Sequence, residues 1–372
     1  MKLSTTSRAA ALSAALAGTL ALAACGAANE TTASSSTGSG SSSAPQLSGT
    51  LNGAGSSAQQ AAMQGWTAGF SASQPDVTVN YDPVGSGGGR KQFLAGGIDF
   101  AGSDAALTAD EVTQAATACG ASGFFELPNY VSAIAVVYNL PGVKDLQLKP
   151  ATLAKIFAGQ ITTWNDPAIA ADNPGANLPS TTITPVHRAD DSGTTTNFTD
   201  YLNKTAGDVW TNAAKGTWPI AGGEAANQTS GMVSAVQAGA GAIGYADESQ
   251  AGSLGIAKIG VGSSFVAPSA AAAAAAVANS PTVEGRGEHD GAIAVNRTTT
   301  SADEYPIVLV SYHIGCMQPK DATQGALLKS FENYVISSEG QDAAAKQAGS
   351  APISDALRAK SQKTVDAIGG QG

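Results

Sequence analysis

Residues 46–70 read QLSGTLNGAGSSAQQAAMQGWTAGF and carry three structural signals in order. The first six residues predict a short strand, and the small residues of Asn52–Ser57 predict a turn. Met63, Trp66 and Phe70 then follow at spacings of three and four, which is typical of the apolar face of a helix. This stretch therefore predicts a strand–turn–helix unit.

The same order of elements recurs along the chain and predicts an α/β protein. Further strands are predicted at 76–81, 98–104, 131–139, 182–186 and 307–314. Thr108-Ala-Asp-Glu111 has the form of a capping box that starts a helix. Ala267–Ala278 is mostly alanine and predicts a surface helix, with a low-complexity insertion as the alternative.

Three of the predicted strand ends combine glycine and serine with the start of a helix. A helix N-terminus exposes unpaired N–H groups and a partial positive charge, which together suit an anion. Small residues let the backbone approach a ligand closely, and hydroxyls add donors. One such turn is weak evidence, but three in one chain together with an arginine indicate an anion site.

Four segments resemble, in order and spacing, the ligand segments of the periplasmic phosphate-binding proteins of ABC importers. These segments are Leu51–Ser57, Gly85–Gln92, Asp99–Asp104 and Arg188–Thr194. Further matches outside them are Ile156–Asp166, Trp218–Ile220 and Gly241–Tyr245. The resemblance extends over about residues 48–365, and it implies a binding protein with no catalytic residues, no cofactor and no metal.

The resemblance also implies a set of phosphate-binding residues. They are Ser57, Ala58, Ser86, Asp104, Arg188, Ser192, Gly193 and Thr194. Hydroxyl and N–H groups donate from the serines and from the threonine, and Ala58 donates through its backbone N–H. Arg188 supplies the full positive charge, and Asp190 pairs with it and fixes its orientation.

Asp104 is the residue on which phosphate selectivity is expected to depend. Phosphate near neutral pH still carries a proton that an ionised carboxylate accepts, whereas sulfate carries none. A buried acceptor that faces an oxygen lone pair disfavours the wrong ligand by several kcal/mol. A helix-capping aspartate is the alternative reading of Asp104. Two positions depart from the family pattern, because Ala58 stands for an aromatic residue and Gly87 for a second serine.

Length and resemblance together predict two lobes of a type II periplasmic-binding-protein fold, joined by two crossover strands. Residues 48–130 and 306–372 are expected to form the first lobe, and residues 131–305 the second. Closure of the lobes around phosphate would complete the site and present a closed form to the permease. Cys119 and Cys316 would both lie in the first lobe and are expected to form a disulfide, with two buried free thiols as the alternative.

The N-terminus predicts export and attachment to the membrane. Residues 1–24 have a basic start and an apolar run too short to span a bilayer, as in a signal peptide. Leu22-Ala-Ala-Cys25 resembles the bacterial lipobox, so Cys25 is the expected site of lipidation; a secretory signal with a chance cysteine is the alternative. Residues 25–47 contain mostly small and polar residues and predict a flexible tether. The expected location is therefore the outer side of the cell membrane.

The net charge of the chain argues against some classes of partner. Removal of Lys2 and Arg8 from 19 basic residues leaves 17 against 29 acidic ones, a net charge of about −12. This balance argues against nucleic acid and against a polybasic membrane patch. The expected partners are inorganic phosphate and the permease subunits of an ABC importer, and the protein is expected to be a monomer.

Three rival functions remain at this stage. A hydrolase would need a base near Ser192, but His187 precedes the turn, and the three histidines lie far apart without metal-ligand spacing. A binding protein for sulfate or molybdate would not favour the carboxylate of Asp104. A surface adhesin that keeps the fold without binding phosphate is the third possibility.

Overall fold

The computed structural model describes residues 46–370. The predicted signal peptide, the lipidation site at Cys25 and nearly all of the predicted tether lie outside these residues. The strands are β1 Gly49–Gly55, β2 Val77–Asp82, β3 Phe100–Ser103, β4 Phe124–Tyr138, β5 Gln147–Leu148, β6 Thr184–Arg188, β7 Glu224–Ala226, β8 Ala242–Asp247, β9 Gly255–Ile256, β10 Lys258–Val261, β11 Ser264–Val266 and β12 Val308–Cys316. The helices are α1 Gln60–Ser73, α2 Ser86–Leu94, α3 Ala109–Cys119, α4 Pro150–Phe157, α5 Pro167–Asp172, α6 Gly193–Thr205, α7 Gln228–Ala238, α8 Ala270–Ala278, α9 Ala322–Ile336, α10 Ser338–Ala348 and α11 Asp355–Ala367.

Strands β4 and β12 form the centre of the main sheet. Its order within the described residues is β2-β1-β3-β12-β4-β8-β6-β7, and β9 also pairs with β4. The first part of β4, up to Ala133, pairs with β12, and from Ile134 onward β4 pairs with β8. One long strand therefore joins the β2-β1-β3-β12 side of the sheet to the β8-β6-β7 side. A separate small sheet has the order β11-β10-β5.

Strand β4 begins earlier than its sequence pattern predicts, and it is buried as that pattern predicts. Every residue of β4 after Phe124 is buried, and β12 is buried up to its last residue. Such continuous apolar runs are expected where a strand is covered on both faces. The prediction began β4 at Val131 because Glu126, Pro128 and Asn129 interrupt the apolar run. Glu126 and Asn129 are buried here, and each accepts a hydrogen bond, from the Leu107 N–H and from the Gln59 amide respectively.

The predicted turn at Asn52–Ser57 is partly wrong, because β1 continues through Gly55. Gly53 and Gly55 pair in register with Phe100 and Gly102 of the parallel strand β3. A Cβ atom on Gly53 would lie 2.3 Å from the ring of Phe100, so the glycine allows that ring to cover the strand. The glycines of this strand therefore allow close packing. From the sequence alone, the same glycines predicted a turn.

Two local helix predictions have clear outcomes. The capping box is confirmed: the Thr108 hydroxyl accepts from the Glu111 N–H, and the Glu111 carboxylate accepts from the Thr108 N–H. The alanine-rich segment forms α8, which begins after the N-cap Ser269 and packs against β4. Its inner face is buried through Ala272, Ala273, Ala276 and Val277. The segment is therefore a half-buried helix and not only a surface helix.

Cys119 at the end of α3 and Cys316 at the end of β12 are joined by a disulfide bond, with their Cα atoms 5.2 Å apart. The two cysteines are 197 residues apart in the chain. The bond therefore ties the early β1–α3 region to the C-terminal part of the chain. Among residues 46–370, no helix has both the length and the apolar character needed to cross a bilayer.

Candidate functional site

Arg188 lies at the C-terminal end of β6 and is only 3% exposed. Its guanidinium forms a two-point contact with Asp190, in which Nε donates to Oδ1 at 2.7 Å and Nη2 donates to Oδ2. Nη2 also donates to the Ser57 hydroxyl at 3.0 Å. Asp190 thus fixes the plane of the guanidinium, as expected, and Ser57 brings the end of β1 to the same group.

The N-terminus of α7 supports both partners of Arg188. The Gln228 N–H donates to Asp190 Oδ1 at 2.9 Å, and the Thr229 N–H donates to the Ser57 hydroxyl at 3.0 Å. These donors are two of the orphan N–H groups of a helix start. Sequence reasoning did not identify Gln228 or Thr229. The polar run that precedes the apolar positions of this helix was the available signal.

Asp104 follows β3 and is 2% exposed. Oδ1 accepts from the hydroxyls of Ser56 at 2.5 Å and Ser311 at 2.6 Å. Oδ2 faces the hydroxyls of Ser86 at 3.4 Å and Thr194 at 3.3 Å. We call these five residues the Asp104 cluster. Burial raises the pKa of Asp104, while the hydrogen bonds from Ser311 and Ser56, the charge of Arg188 and the Thr194 hydroxyl lower it.

The start of α6 approaches Asp104 closely because residue 193 is glycine. A Cβ atom on Gly193 would lie 2.6 Å from Ser86 Oγ and 2.8 Å from Asp104 Cβ. Ser192 is the N-cap of this helix, and its hydroxyl accepts from the Thr195 N–H at 3.2 Å. Asn197, one turn further on, donates to the backbone carbonyl of Asp104 at 2.6 Å. The helix start and Asp104 are therefore held together by several contacts.

Ser86 and Ala58 occupy different positions relative to these groups. Ser86 is the first residue of α2, and its hydroxyl accepts from the Asp104 N–H at 3.1 Å. Ala58 is fully buried, and its carbonyl accepts from Gln250 Nε2 at 3.1 Å. The same Gln250 nitrogen donates to the carbonyl of Ser57 at 3.0 Å. Gln250 thus holds the backbone of Ser57 and Ala58.

Asp191 forms a contact between the α6 loop and α2. Its backbone carbonyl accepts from the Gly87 N–H at 2.9 Å, and its carboxylate lies 3.8 Å from Arg90 and 3.9 Å from Lys91. A Cβ atom on Gly87 would lie 2.1 Å from Asp191 Cγ. The glycine that departs from the family pattern therefore leaves the space in which Asp191 lies.

The predicted residues fall into two adjoining groups in the folded chain. Ser57 and Asp190 meet at Arg188, while Ser86, Gly193 and Thr194 meet at Asp104. All of the predicted ligand side chains are nearly inaccessible, with Arg188 the most exposed at 3%. Sequence reasoning missed Ser56, Thr229, Gln250 and Ser311. Ser56 was within a quoted motif, but Ser311 is far away in sequence and carried no signal.

Two of the three histidines have partners of their own. The ring of His187 stacks on Trp218, with centroids 5.1 Å apart, and its Nδ1 lies 3.0 Å from the carbonyl of Arg188. His313 instead pairs with Glu332 in the core. Among the described residues, no group of three or more His, Cys, Asp or Glu residues is placed to hold a metal ion.

Comparison with known proteins identifies the family. Residues 31–339 match the family model described as a PBP superfamily domain. The chain is 36% identical to phosphate-binding protein PstS2 of Mycobacterium bovis, over 96% of this chain and 98% of that protein. It is 35% identical to PstS3 of the same organism, over 95% and 96% of the two chains.

Solved structures agree on the fold. The structure of a high-affinity periplasmic phosphate-binding protein bound with phosphate matches with a TM-score of 0.68 at 24% identity, covering 85% of this chain and 93% of that one. The likeness confirms the predicted two-lobed α/β fold. By sequence and by fold, this chain belongs to the PBP superfamily and, within it, to the PstS family of phosphate-binding proteins.

Proposed function

We propose that this protein binds inorganic phosphate outside the cytoplasmic membrane and delivers it to an ABC-type phosphate importer. The observation that carries the proposal is the convergence of one buried cation, a helix start, several hydroxyls and one carboxylate from loops far apart in sequence. Arg188 is the cation of this set and Asp104 is its carboxylate, and both are at most 3% exposed. The names of the 35–36% identical relatives support the same ligand.

In the proposed mechanism, Arg188 and the start of α6 hold the phosphate anion. Arg188 attracts the negative charge of phosphate, and Asp190 keeps its guanidinium in one orientation by two hydrogen bonds. The N–H groups and hydroxyls of Ser192, Gly193 and Thr194 donate to the other phosphate oxygens, as a helix start can. Local donors must hold the anion because the acidic protein as a whole repels it.

Asp104 provides the proposed selectivity. An ionised carboxylate accepts the proton that phosphate retains near neutral pH. Sulfate has no such proton, so it would place an oxygen lone pair against a buried negative charge. Burial raises the pKa of Asp104, and the hydroxyls of Ser311, Ser56 and Thr194 oppose that rise because they donate to the charged form. These contacts support the proposed role.

Binding is proposed to involve opening and closing of two lobes, residues 48–130 with 306–372 and residues 131–305. Ser57, Ser86 and Asp104 belong to the first range, and Arg188 and Thr194 to the second. Contacts such as Arg188–Ser57 and Thr194–Asp104 cross between the ranges. Because these side chains are almost inaccessible in the closed arrangement, ligand entry requires the ranges to separate.

The remaining parts of the proposal concern location and activity. We place the protein on the outer side of the cell membrane, anchored through lipid on Cys25, as a monomer that docks on the permease. It has no enzymatic activity in this proposal, and the packing of His187 on Trp218 supports that view. The supporting sequence features are the lipobox-like Leu22-Ala-Ala-Cys25 and the small-residue tether.

One titration series tests the binding function. The purified domain without the signal and tether is titrated calorimetrically with phosphate, sulfate, molybdate and arsenate. Phosphate is expected to bind far more tightly than sulfate or molybdate. Tighter binding of sulfate or molybdate would favour the rival oxyanion function, and no oxyanion binding at all would favour an adhesin. Turnover of a phosphate ester by the same preparation would contradict the non-enzymatic assignment.

A further inference from the structure

The two oxygens of the Asp104 carboxylate have unequal surroundings. Oδ1 receives two short hydrogen bonds, at 2.5 Å from Ser56 and 2.6 Å from Ser311. Oδ2 has only the longer contacts, at 3.4 Å from Ser86 and 3.3 Å from Thr194. The long contacts come from proposed phosphate ligands, whereas the short ones come from two serines outside that set.

This difference decides which oxygen is free to accept a further hydrogen bond. An ionised carboxylate has about two acceptor sites on each oxygen, and two short hydrogen bonds fill those of Oδ1. The contacts of Oδ2 are near the outer limit for O–H···O bonds, so they are the ones that a ligand can replace. Oδ2 is therefore the oxygen that can accept the proton of phosphate.

We propose that Ser311 and Ser56 are positioning residues that hold Asp104 as an ionised acceptor, with Oδ2 alone directed at the phosphate proton. The inference rests on the proposed function and deepens it, because it names the groups that sustain discrimination against fully ionised oxyanions. The two serines would touch the carboxylate and not the ligand.

Ser311 is placed for this role by an irregularity in the central sheet. The register between β12 and β4 shifts between Ser311 and Tyr312, where a bulge or irregularity interrupts the ladder. Such irregularities commonly redirect a side chain. Ser311 is fully buried, and 207 residues separate it from Asp104 in the chain. A serine on this buried apolar strand would otherwise be costly, so the partner carboxylate explains its presence.

The charges around Asp104 give the inference a measurable consequence. The charge of Arg188 acts on Asp104, and the charge of Asp104 acts on Tyr81, whose pKa is raised by burial and then by Asp104. Burial raises the pKa of Asp104, and the Ser311 and Ser56 hydroxyls oppose that rise. Without one of them, the carboxyl would take up a proton at a higher pH. A protonated Asp104 donates a hydrogen bond, and sulfate can accept it.

The test is the pH dependence of sulfate binding by Ser311→Ala. Sulfate carries no proton between about pH 5.5 and 8, so any gain in its affinity reports protonation of the protein. We expect the sulfate affinity of the variant, relative to the unaltered protein, to rise about tenfold as the pH falls through this range. Ser56→Ala should act in the same direction, and it carries the test if Ser311→Ala does not fold.

Ser132→Ala is the matched control, because Ser132 is a buried serine of the adjacent strand β4 whose hydroxyl faces Asp247. Its sulfate profile should equal that of the unaltered protein. Unchanged profiles in both folded serine variants, with intact phosphate binding, would overturn the positioning role alone. Failure of the unaltered protein to bind phosphate would instead overturn the proposed function, and the positioning role with it.

Discussion

The Asp104 cluster and a second buried cluster in this protein differ in the groups that surround their carboxylates. The second, which we call the Glu126 cluster, consists of Glu126 of β4 and of Arg286 and Asp290 in the segment after α8. Arg286 lies 3.5 Å from Glu126 Oε2 and 3.3 Å from Asp290 Oδ2, and Glu126 Oε1 accepts from the Leu107 N–H at 2.8 Å.

The difference lies in how many donors each carboxylate has. Asp104 is surrounded by four hydroxyls, and the nearby cation is engaged by Asp190. In the Glu126 cluster two carboxylates share a single arginine, and burial together with Asp290 raises the pKa of Glu126 to about 8. Burial raises the pKa of Asp104 as well, but hydroxyl donors and the charge of Arg188 oppose that rise. At Glu126 the neighbouring Asp290 adds to the rise, so this cluster holds a proton more readily. The first cluster is the one that we propose for binding, and the second ties chain segments together.

The largest expected effects come from removing the arginine of each cluster. Arg188→Ala should weaken phosphate binding by at least about 100-fold, because it removes the cation and leaves Asp190 unpaired. Arg286→Ala should leave phosphate affinity nearly unchanged but lower the free energy of unfolding by about 3 kcal/mol, because two buried acids lose their partner. Calorimetry and urea unfolding of both variants measure these effects. The comparison breaks if phosphate affinity responds to Arg286 and not to Arg188.

Asp104 and Glu126 should differ as the two arginines do: substitution of Asp104 should alter anion binding, and substitution of Glu126 should not. Asp104→Asn is expected to lower the discrimination between phosphate and sulfate by about tenfold or more, since the amide can donate to sulfate. Its effect on phosphate affinity should be smaller than its effect on discrimination. Glu126→Gln, the matching change in the other cluster, should leave discrimination unaltered. Parallel calorimetric titrations with both anions decide the matter, and equal losses for both anions in Asp104→Asn would refute the selectivity role.

A steric test asks whether the Asp104 site depends on closure. Gly87→Ala should weaken phosphate binding by about tenfold, because its Cβ would overlap the Asp191 carboxylate when the segments meet. Gly88→Ala is the control in the same helix turn, since its Cβ would meet only the Val84 side chain, at 3.0 Å.

Adding Asp191→Ala to Gly87→Ala should restore part of the lost affinity, because it removes the Asp191 carboxylate and leaves only the Cβ contact at 2.6 Å. The four proteins form a double-mutant cycle, and its coupling free energy measures the contact. Purely additive effects would show that this contact does not limit closure.

The smallest effect is expected in the pH dependence of stability. Burial raises the pKa of Glu126 to about 8, above its usual value of 4.5, so the folded state keeps a proton that the unfolded state has lost. The resulting stabilisation is complete below about pH 4.5 and is lost as the pH rises through 8, which amounts to at most a few kcal/mol.

Glu126→Gln should flatten this dependence and stabilise the protein relative to the unaltered chain at high pH. Urea unfolding from about pH 5 to 9 measures it, with Glu288→Gln as a control that removes an exposed charge from the same segment. Parallel curves for the unaltered protein and Glu126→Gln would contradict a proton held in the Glu126 cluster.

Much of the fold could be predicted from local patterns. The alternation of strands and helices predicted the α/β class, and the capping box at Thr108–Glu111 is present as expected. The boundary of β1 was wrong, because a glycine-rich strand and a turn have the same composition. Pairing with β2 and β3 is what makes residues 52–55 extended, and that pairing is not visible in the local sequence.

The sequence by itself determined the α/β class, the resemblance to a family and the residue types of an anion site, because each depends on local spacing and chemistry. Tertiary structure decided that Ser311 and Ser56 share one oxygen of Asp104, that Gly87 makes room for Asp191, and that Thr229 supports Ser57. These contacts join residues as many as 207 positions apart. Only the folded chain brings such residues within the few ångströms over which hydrogen bonds and steric contacts act.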